Sequence, residues 1–167
     1  MSTTYDSTIK VLQSLLTTLS HLLHKSTQTS LPEQTILDAR LHESMYALPD
    51  QIRLATQFSA YLVARLTASE PIIFEGNPSS LSECQERIQT VLSALDSAER
   101  DTVNEQAEVV KSTPAGPGVN IDITGAVYAH TIVLPNVYFH VATAYGILRS
   151  KGVEIGKRDW YQGFFPQ

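Results

Sequence analysis

A single cysteine, Cys84, stands in 167 residues, so no internal disulfide can form. Positive charge is also scarce: 12 Lys+Arg face 17 Asp+Glu, a formal net charge of −5, and no basic run alternates with aromatic residues. That balance argues against nucleic acid and against an anionic membrane surface as partners. No uninterrupted apolar run approaches the roughly 20 residues that cross a bilayer, so no membrane span is expected. The opening "MSTTYDSTIK" lacks a charged region followed by an apolar one, and with the lone thiol it leads to the expectation of a cytoplasmic protein. No serine sits in a Gly-x-Ser-x-Gly elbow. The stretch "GPGVNIDITG" lacks the lysine and the strand-to-helix context of a phosphate loop. No repeat or low-complexity segment is present. Cys84 reads as a half-buried small hydrophobe on a helix, because no His or Lys lies within a turn to activate it.

What is present is apolar periodicity in a chain with 43% hydrophobic residues, enough for one domain over residues 1–167. Ile9, Leu12, Leu15, Leu16, Leu19, Leu22 and Leu23 recur at spacings of three and four, which predicts helix one over residues 5–25. His21 and His24 fall near its end, where the helix dipole favours them. A second helical stretch runs from Glu33 to about Leu66, with Pro49 predicting a kink or break near Ala47. Ser80 followed by Glu83 forms a capping-box signature for helix three, about Ser80–Ala98. The β-prone runs "AEVVK" and "VNIDI", separated by "STPAGPG", predict a small exposed hairpin. From Thr124 the chain is apolar and aromatic to Leu148, then reaches Arg149, Lys151 and Gly152, which suit a helix C-terminus. This is helix four, kinked at Pro135. The remainder, "VEIGKRDWYQGFFPQ", reads as an extended tail over the helices, with Lys157, Arg158, Asp159 and Trp160 clipping it to them or to a second subunit.

Polar residues interrupt helix four on one stripe. Asn136 and His140 are four apart, and Thr143 follows three later. Asp38 and His42 share the same spacing on the predicted helix two, with Arg40 and Glu43 beside them. Facing helices build sites from such inward side chains. The functional reading makes His140 an acid or base, oriented by a carboxylate from helix two, with Asp38 and His42 completing the catalytic set. Arg40 then holds an anionic or carbonyl group, and Asn136, Tyr138, Thr143 and Tyr145 line the ligand. The structural reading ties His140 to a backbone carbonyl freed by Pro135, with Asn136 capping the same kink and the tyrosines packing in the core. His42, His140 and one of Asp38 or Glu43 could form a two-histidine, one-carboxylate metal set. His130, ten residues from His140, lies on another face. The expectation is no metal and no cofactor.

The stretch "LPNVYFHVATAYGILRSKGVEIGKRDW" resembles the signature of a bacterial and fungal family named domain of unknown function nineteen ninety-three. In that family a Pro-Asn pair, aromatics with His, Thr-Ala-Tyr, Ile-Leu-Arg and a Gly-Val…Gly-Lys…Asp tail recur in this order. "DARLHESMYALPDQI" and the hairpin extend the resemblance over nearly the whole chain. It implies an all-α fold, a four-helix up-down-down-up bundle like the DinB and YfiT group, with a small β-hairpin before the last helix, an extended tail, and a homodimer. The aromatic tail "DWYQGFF" also suggests a second copy. Many DinB-like bundles hold a divalent metal with three histidines, two of them a turn apart on helix four. This chain departs from that pattern, since Asn136 and Ala144 flank His140 at that spacing. It departs again at Ser44, where the family pattern leads one to expect an aspartate.

These features together suggest a small-molecule-binding helical bundle with its pocket between helices two and four. It could be a metal-independent enzyme of specialised metabolism using acid–base or cyclisation chemistry. The alternatives are a non-catalytic dimer and a DinB-like metal-dependent enzyme with a reduced site.

Overall fold

The computed structural model describes residues 2–165. Within them the chain is mostly helical, with one two-stranded antiparallel hairpin preceding a late helix. Helix α1, Thr4–Ser7, is capped by Thr3, whose hydroxyl accepts from the Asp6 amide while the Asp6 carboxylate accepts from the Thr3 amide. Thr8 then interrupts the helix, so the expected helix one begins as two pieces. Helix α2, Ile9–Ser26, buries every leucine and isoleucine of the predicted stripe. Each such burial stabilises by about 1.5–3 kcal/mol relative to exposure.

Helix two is not continuous. Helix α3 spans only Glu33–Leu37 and helix α4 runs Leu48–Thr67, with a non-helical loop between them. Pro49 causes the break: it lacks an amide hydrogen and its ring would clash with the carbonyl of Met45, but it fits the first turn of a new helix. The loop closes on itself where the Leu48 amide donates to the Ala39 carbonyl at 3.0 Å. Leu41 lies over Gly146, where a Cβ would sit 3.3 Å from its methyl carbon. A small residue at 146 is what lets the loop seat there.

Helix α5, Leu81–Asp96, starts as expected, with Ser80 Oγ accepting from the Glu83 amide at 3.1 Å. The Glu83 carboxylate accepts from the Ser79 amide at 2.6 Å rather than closing the box on Ser80. Helix α6, Arg100–Ala107, has no counterpart in the sequence reading. Strands β1, Val110–Gly116, and β2, Val119–Thr124, pair from Val110↔Thr124 to Gly116↔Val119, so the hairpin includes residues expected in its turn. Arg65 of α4 docks it, donating to Thr113 Oγ1 and to the Ile123 carbonyl, both at 2.7 Å.

The predicted helix four is three segments in one run: α7, Gly125–Tyr128, a π-helical turn over Ala129–Val133, and α8, Leu134–Ser150. The wide turn precedes Pro135, whose missing amide and bulky ring disfavour a regular α-turn there. The Leu134 amide reaches back to the Ala129 carbonyl. This run, Gly125–Ser150, is long and apolar enough by composition to span a membrane, contrary to the expectation above, but half of its most apolar window is buried inside the protein. Helix α4 packs against α8 and α5, and α2 packs against α5 and α8. One contiguous apolar core runs from Tyr5 to Ile155.

The tail is not simply extended. Val153 and Ile155 are buried, and a short helix α9, Lys157–Trp160, follows. It is clipped to α2 by three contacts. Asp159 Oδ1 meets His21 Nε2 at 2.8 Å, Thr18 Oγ1 donates to the Trp160 carbonyl at 3.1 Å, and the Gly163 amide donates to Thr18 Oγ1 at 3.1 Å. Asp159 and Trp160 therefore hold the tail to the helices, as one of the two expectations had it. His21 has a specific carboxylate partner there. Cys84 is fully rather than half buried, and its thiol is pushed up to about 12 by burial.

Candidate functional site

His140 lies on the buried side of α8, facing α4, and is 7% exposed. Its Nδ1 lies 2.8 Å from Gln51 Oε1, and Gln51 Nε2 donates to the Tyr46 carbonyl at 3.0 Å. With its NH₂ group committed to that carbonyl, Gln51 presents an acceptor, so His140 carries its proton on Nδ1. The expected partners, a helix-two carboxylate or a carbonyl freed by Pro135, are both replaced by this amide. Nε2 has no protein partner among the described residues. It is not wholly sealed from solvent, because among the described residues the wholly buried side-chain atoms lacking a partner are Arg65 Nε and Gln85 Oε1.

Aromatic rings fix the imidazole plane. Phe58 stacks on it at 6.3 Å and 17°, and Phe139 meets it edge-on at 5.3 Å and 80°. Burial, with the Arg53 charge adding repulsion, holds His140 below its ordinary pKa of 6.5. The ring is therefore a neutral, oriented acceptor at neutral pH. Thr143 shares its face one turn on and is also buried.

The other sequence candidates lie elsewhere or are otherwise engaged. Asp38, Arg40, His42 and Glu43 are exposed on and beside the 38–47 loop, so their expected helical spacing is not realised. Asp38 accepts from Gln34 Nε2 at 3.0 Å, and His42 Nδ1 is tied to Ser44 at 2.9 Å. None of these groups hydrogen-bonds or stacks on His140. Asn136 Nδ2 donates to the Ile132 carbonyl at 2.7 Å, capping the irregular turn before Pro135 as the structural reading expects. Tyr138 is 41% exposed, and Tyr145 packs edge-on against Trp160 at 6.2 Å.

Gln51 is the residue that sequence reading missed. It is 1% exposed, on the stripe of α4 shared with Leu48, Ala55, Ser59 and Leu62. An amide on an otherwise apolar helical stripe is the signal that could have found it. A cavity of about 450 Å³ lies away from His140, lined by Leu23, Thr27, Leu31, Glu33, Ile36 and Gln85 among others. Among the described residues no three His, Cys, Asp or Glu side chains converge on a point that could hold a metal. His42 and His140 are not brought together with Asp38 or Glu43, and the His140 nitrogen facing α4 is occupied by Gln51. The three-histidine metal set of DinB-like bundles does not fit these residues.

Residues 4–161 match the family described as Domain of unknown function (DUF1993). The fold is similar to the crystal structure, at 1.83 Å resolution, of a DinB family member protein from Shewanella denitrificans. The TM-score is 0.83 at 30% identity, covering 94% of this chain and 90% of that one. No curated protein matches the chain.

Proposed function

We propose that this chain, which belongs to the family described as Domain of unknown function (DUF1993), is an up-down-down-up four-helix bundle of the cytoplasm that binds a small organic molecule at His140. The observation that carries the reading is the divided role of the imidazole. Nδ1 is anchored by Gln51, while Nε2 keeps an unshared lone pair that is not wholly sealed from solvent, on a ring flanked by two phenylalanines. Such a group accepts a hydrogen bond from a ligand hydroxyl or amide, and in a reactive complex it takes that proton as general base. Phe58 and Phe139 supply flat apolar surface for the ligand's body. Thr143 offers a second polar contact one turn further along. Arg40, Asp38 and His42 come from the neighbouring loop and contribute only if that loop folds over the ligand. An acid–base or cyclisation enzyme of specialised metabolism is the catalytic form of this proposal.

The probe is phenol, which has one O–H donor on an aromatic ring. In a 15N-labelled protein at neutral pH, saturating phenol should shift the His140 Nε2 resonance in the wild type. No response of His140 at about 10 mM phenol, a dissociation constant weaker than millimolar, would refute the binding reading.

A second reading is a non-catalytic homodimer that covers the same face, favoured by the exposure of Leu41, Tyr46, Tyr138 and Phe139 around it. Light scattering at micromolar concentration decides the assembly. A dimer in which Phe139→Ser releases monomers supports this reading, and a monomer throughout removes it.

A further inference from the structure

A second cavity, of about 260 Å³, lies between α4, the segment before α5 and α5 itself, and has a different chemistry. Arg53, Gln57 and Tyr61 line it from α4 at helical spacings of four. Asn77 and Phe74 come from the segment leading into α5, and Arg87 comes from α5 itself. Among the described residues, no aspartate or glutamate lines it.

Arg87 is the unusual member. It is 8% exposed, its guanidinium sits over the Phe74 ring at 4.6 Å, and Nη2 donates to the Gly76 and Glu75 carbonyls. No carboxylate pairs with it among the described residues, whereas Arg53 has Asp50 at 3.0 Å. Of the acids before it on its helix, Glu83 is bonded to Ser79 at 2.6 and 3.0 Å, and Glu86 accepts from Ser82 Oγ at 3.2 Å. Nε and Nη1 of Arg87 therefore keep their protons free, and neither atom is sealed from solvent. Tyr61 accepts from Gln57 Nε2 at 2.9 Å, which leaves its own O–H to donate. Two guanidinium groups thus line one small cavity together with a free phenol donor; Arg53 is paired with Asp50, whereas Arg87 brings a positive charge that no carboxylate among the described residues meets. An anion in the cavity would supply that missing partner.

We propose that this cavity binds a small organic oxyanion, a carboxylate or a phosphate monoester, held by Arg87 and Arg53 with Tyr61 donating a further hydrogen bond. A guanidinium fork matches either headgroup in a bidentate manner. The space corresponds to about eight or nine water volumes, more than a bare phosphate needs. Phe74 and its isoleucine neighbours Ile72 and Ile73 provide the wall for an organic body. The cavity's lining does not include His140, Gln51, Phe58 or Phe139, although the Arg53 charge is felt by that imidazole.

Benzoate and phenyl phosphate are the probes, titrated into the full chain by calorimetry and by NMR of the arginine Nε–H groups, with sodium chloride at equal ionic strength as control. Saturable binding of either probe that shifts the Arg87 Nε–H signal is expected, and the tighter of the two identifies the headgroup. Arg87→Met should weaken binding by about tenfold or more, and Tyr61→Phe by several-fold. Because Arg87 also holds the 74–77 segment, Arg53→Met serves as the second cation-removing variant and should weaken binding with the fold intact. His140→Gln should bind both probes as the wild type does. Two results overturn the proposal: neither probe binding beyond the chloride control at about 10 mM, or Arg53→Met and Tyr61→Phe both binding as tightly as the wild type.

Discussion

Replacing Gln51 with leucine isolates the one contact that orients His140. Leucine keeps most of the volume but removes the acceptor 2.8 Å from Nδ1 and the donor 3.0 Å from the Tyr46 carbonyl. A buried donor left without a partner costs about 1–3 kcal/mol. The imidazole can relieve part of this by moving its proton to Nε2, which is not wholly sealed from solvent, leaving Nδ1 as an unsatisfied acceptor. The Tyr46 carbonyl belongs to a residue that is 60% exposed, so water can replace its donor at little cost. The net destabilisation expected is therefore about 1–2 kcal/mol. For a chain of this size that lowers Tm by about 2–8 °C. Thermal unfolding by circular dichroism measures the first effect, and 15N chemical shifts of the His140 ring measure the second. In the wild type Nδ1 should be the protonated nitrogen, and in Gln51→Leu the populations should shift toward Nε2–H. An unchanged Tm together with an unchanged tautomer would refute the assignment of Gln51 as the anchor.

His140 should also leave a mark on the pH dependence of stability. Its folded pKa lies below 6.5, so just below that pH the unfolded chain binds the proton and the folded chain does not. Stability contributed by the neutral ring is therefore full above pH 6.5 and declines as pH falls toward the folded pKa. His140→Gln should flatten that decline in urea melts between about pH 5 and 7, and an unaltered slope would contradict the shift. Gly163→Ala should release the tail, because a Cβ there collides with the Ser14 carbonyl; limited proteolysis should then cut beyond Trp160 in the variant and spare the wild type. Cys84 should resist Ellman's reagent at pH 8 until denaturant is added, given its full burial and a thiol pushed up to about 12.

The elements legible in the sequence were those with a long unbroken period. Helix α2 follows from its leucines alone, and the caps at Ser80 and the glycine-rich hairpin were visible as local chemistry. The apolar pattern misleads over the stretch 38–47, because Leu37, Leu41, Met45 and Leu48 continue spacings of three and four through a segment that is not helical. There the backbone limit imposed by Pro49 overrides the apolar pattern. The site was legible in half. His140, Asn136 and Thr143 do share a face of α8, because they lie within one regular helix. Their partners did not emerge, because Asp38 and His42 were placed by a helix that the proline ends, and because Gln51 resembled any polar helical residue until its neighbours on α4 were known to be buried. Helix α6 escaped notice for a related reason: among its eight residues only Val103 and Ala107 are buried.

The π-helical turn over Ala129–Val133 sets the phase of everything after it. One extra residue in a helical turn rotates the following segment by about 100° relative to an unbroken α-helix. The turn therefore acts as a coupling between two half-helices, one bearing Gly125 against α4 and α6 and the other bearing His140 against Gln51. Shortening the chain there by one residue would tighten the coupling to an ordinary α-turn and carry either Gly125 or His140 off its neighbour. The same position is where the sequence could drift in length by single residues to re-aim the imidazole without disturbing the helices around it.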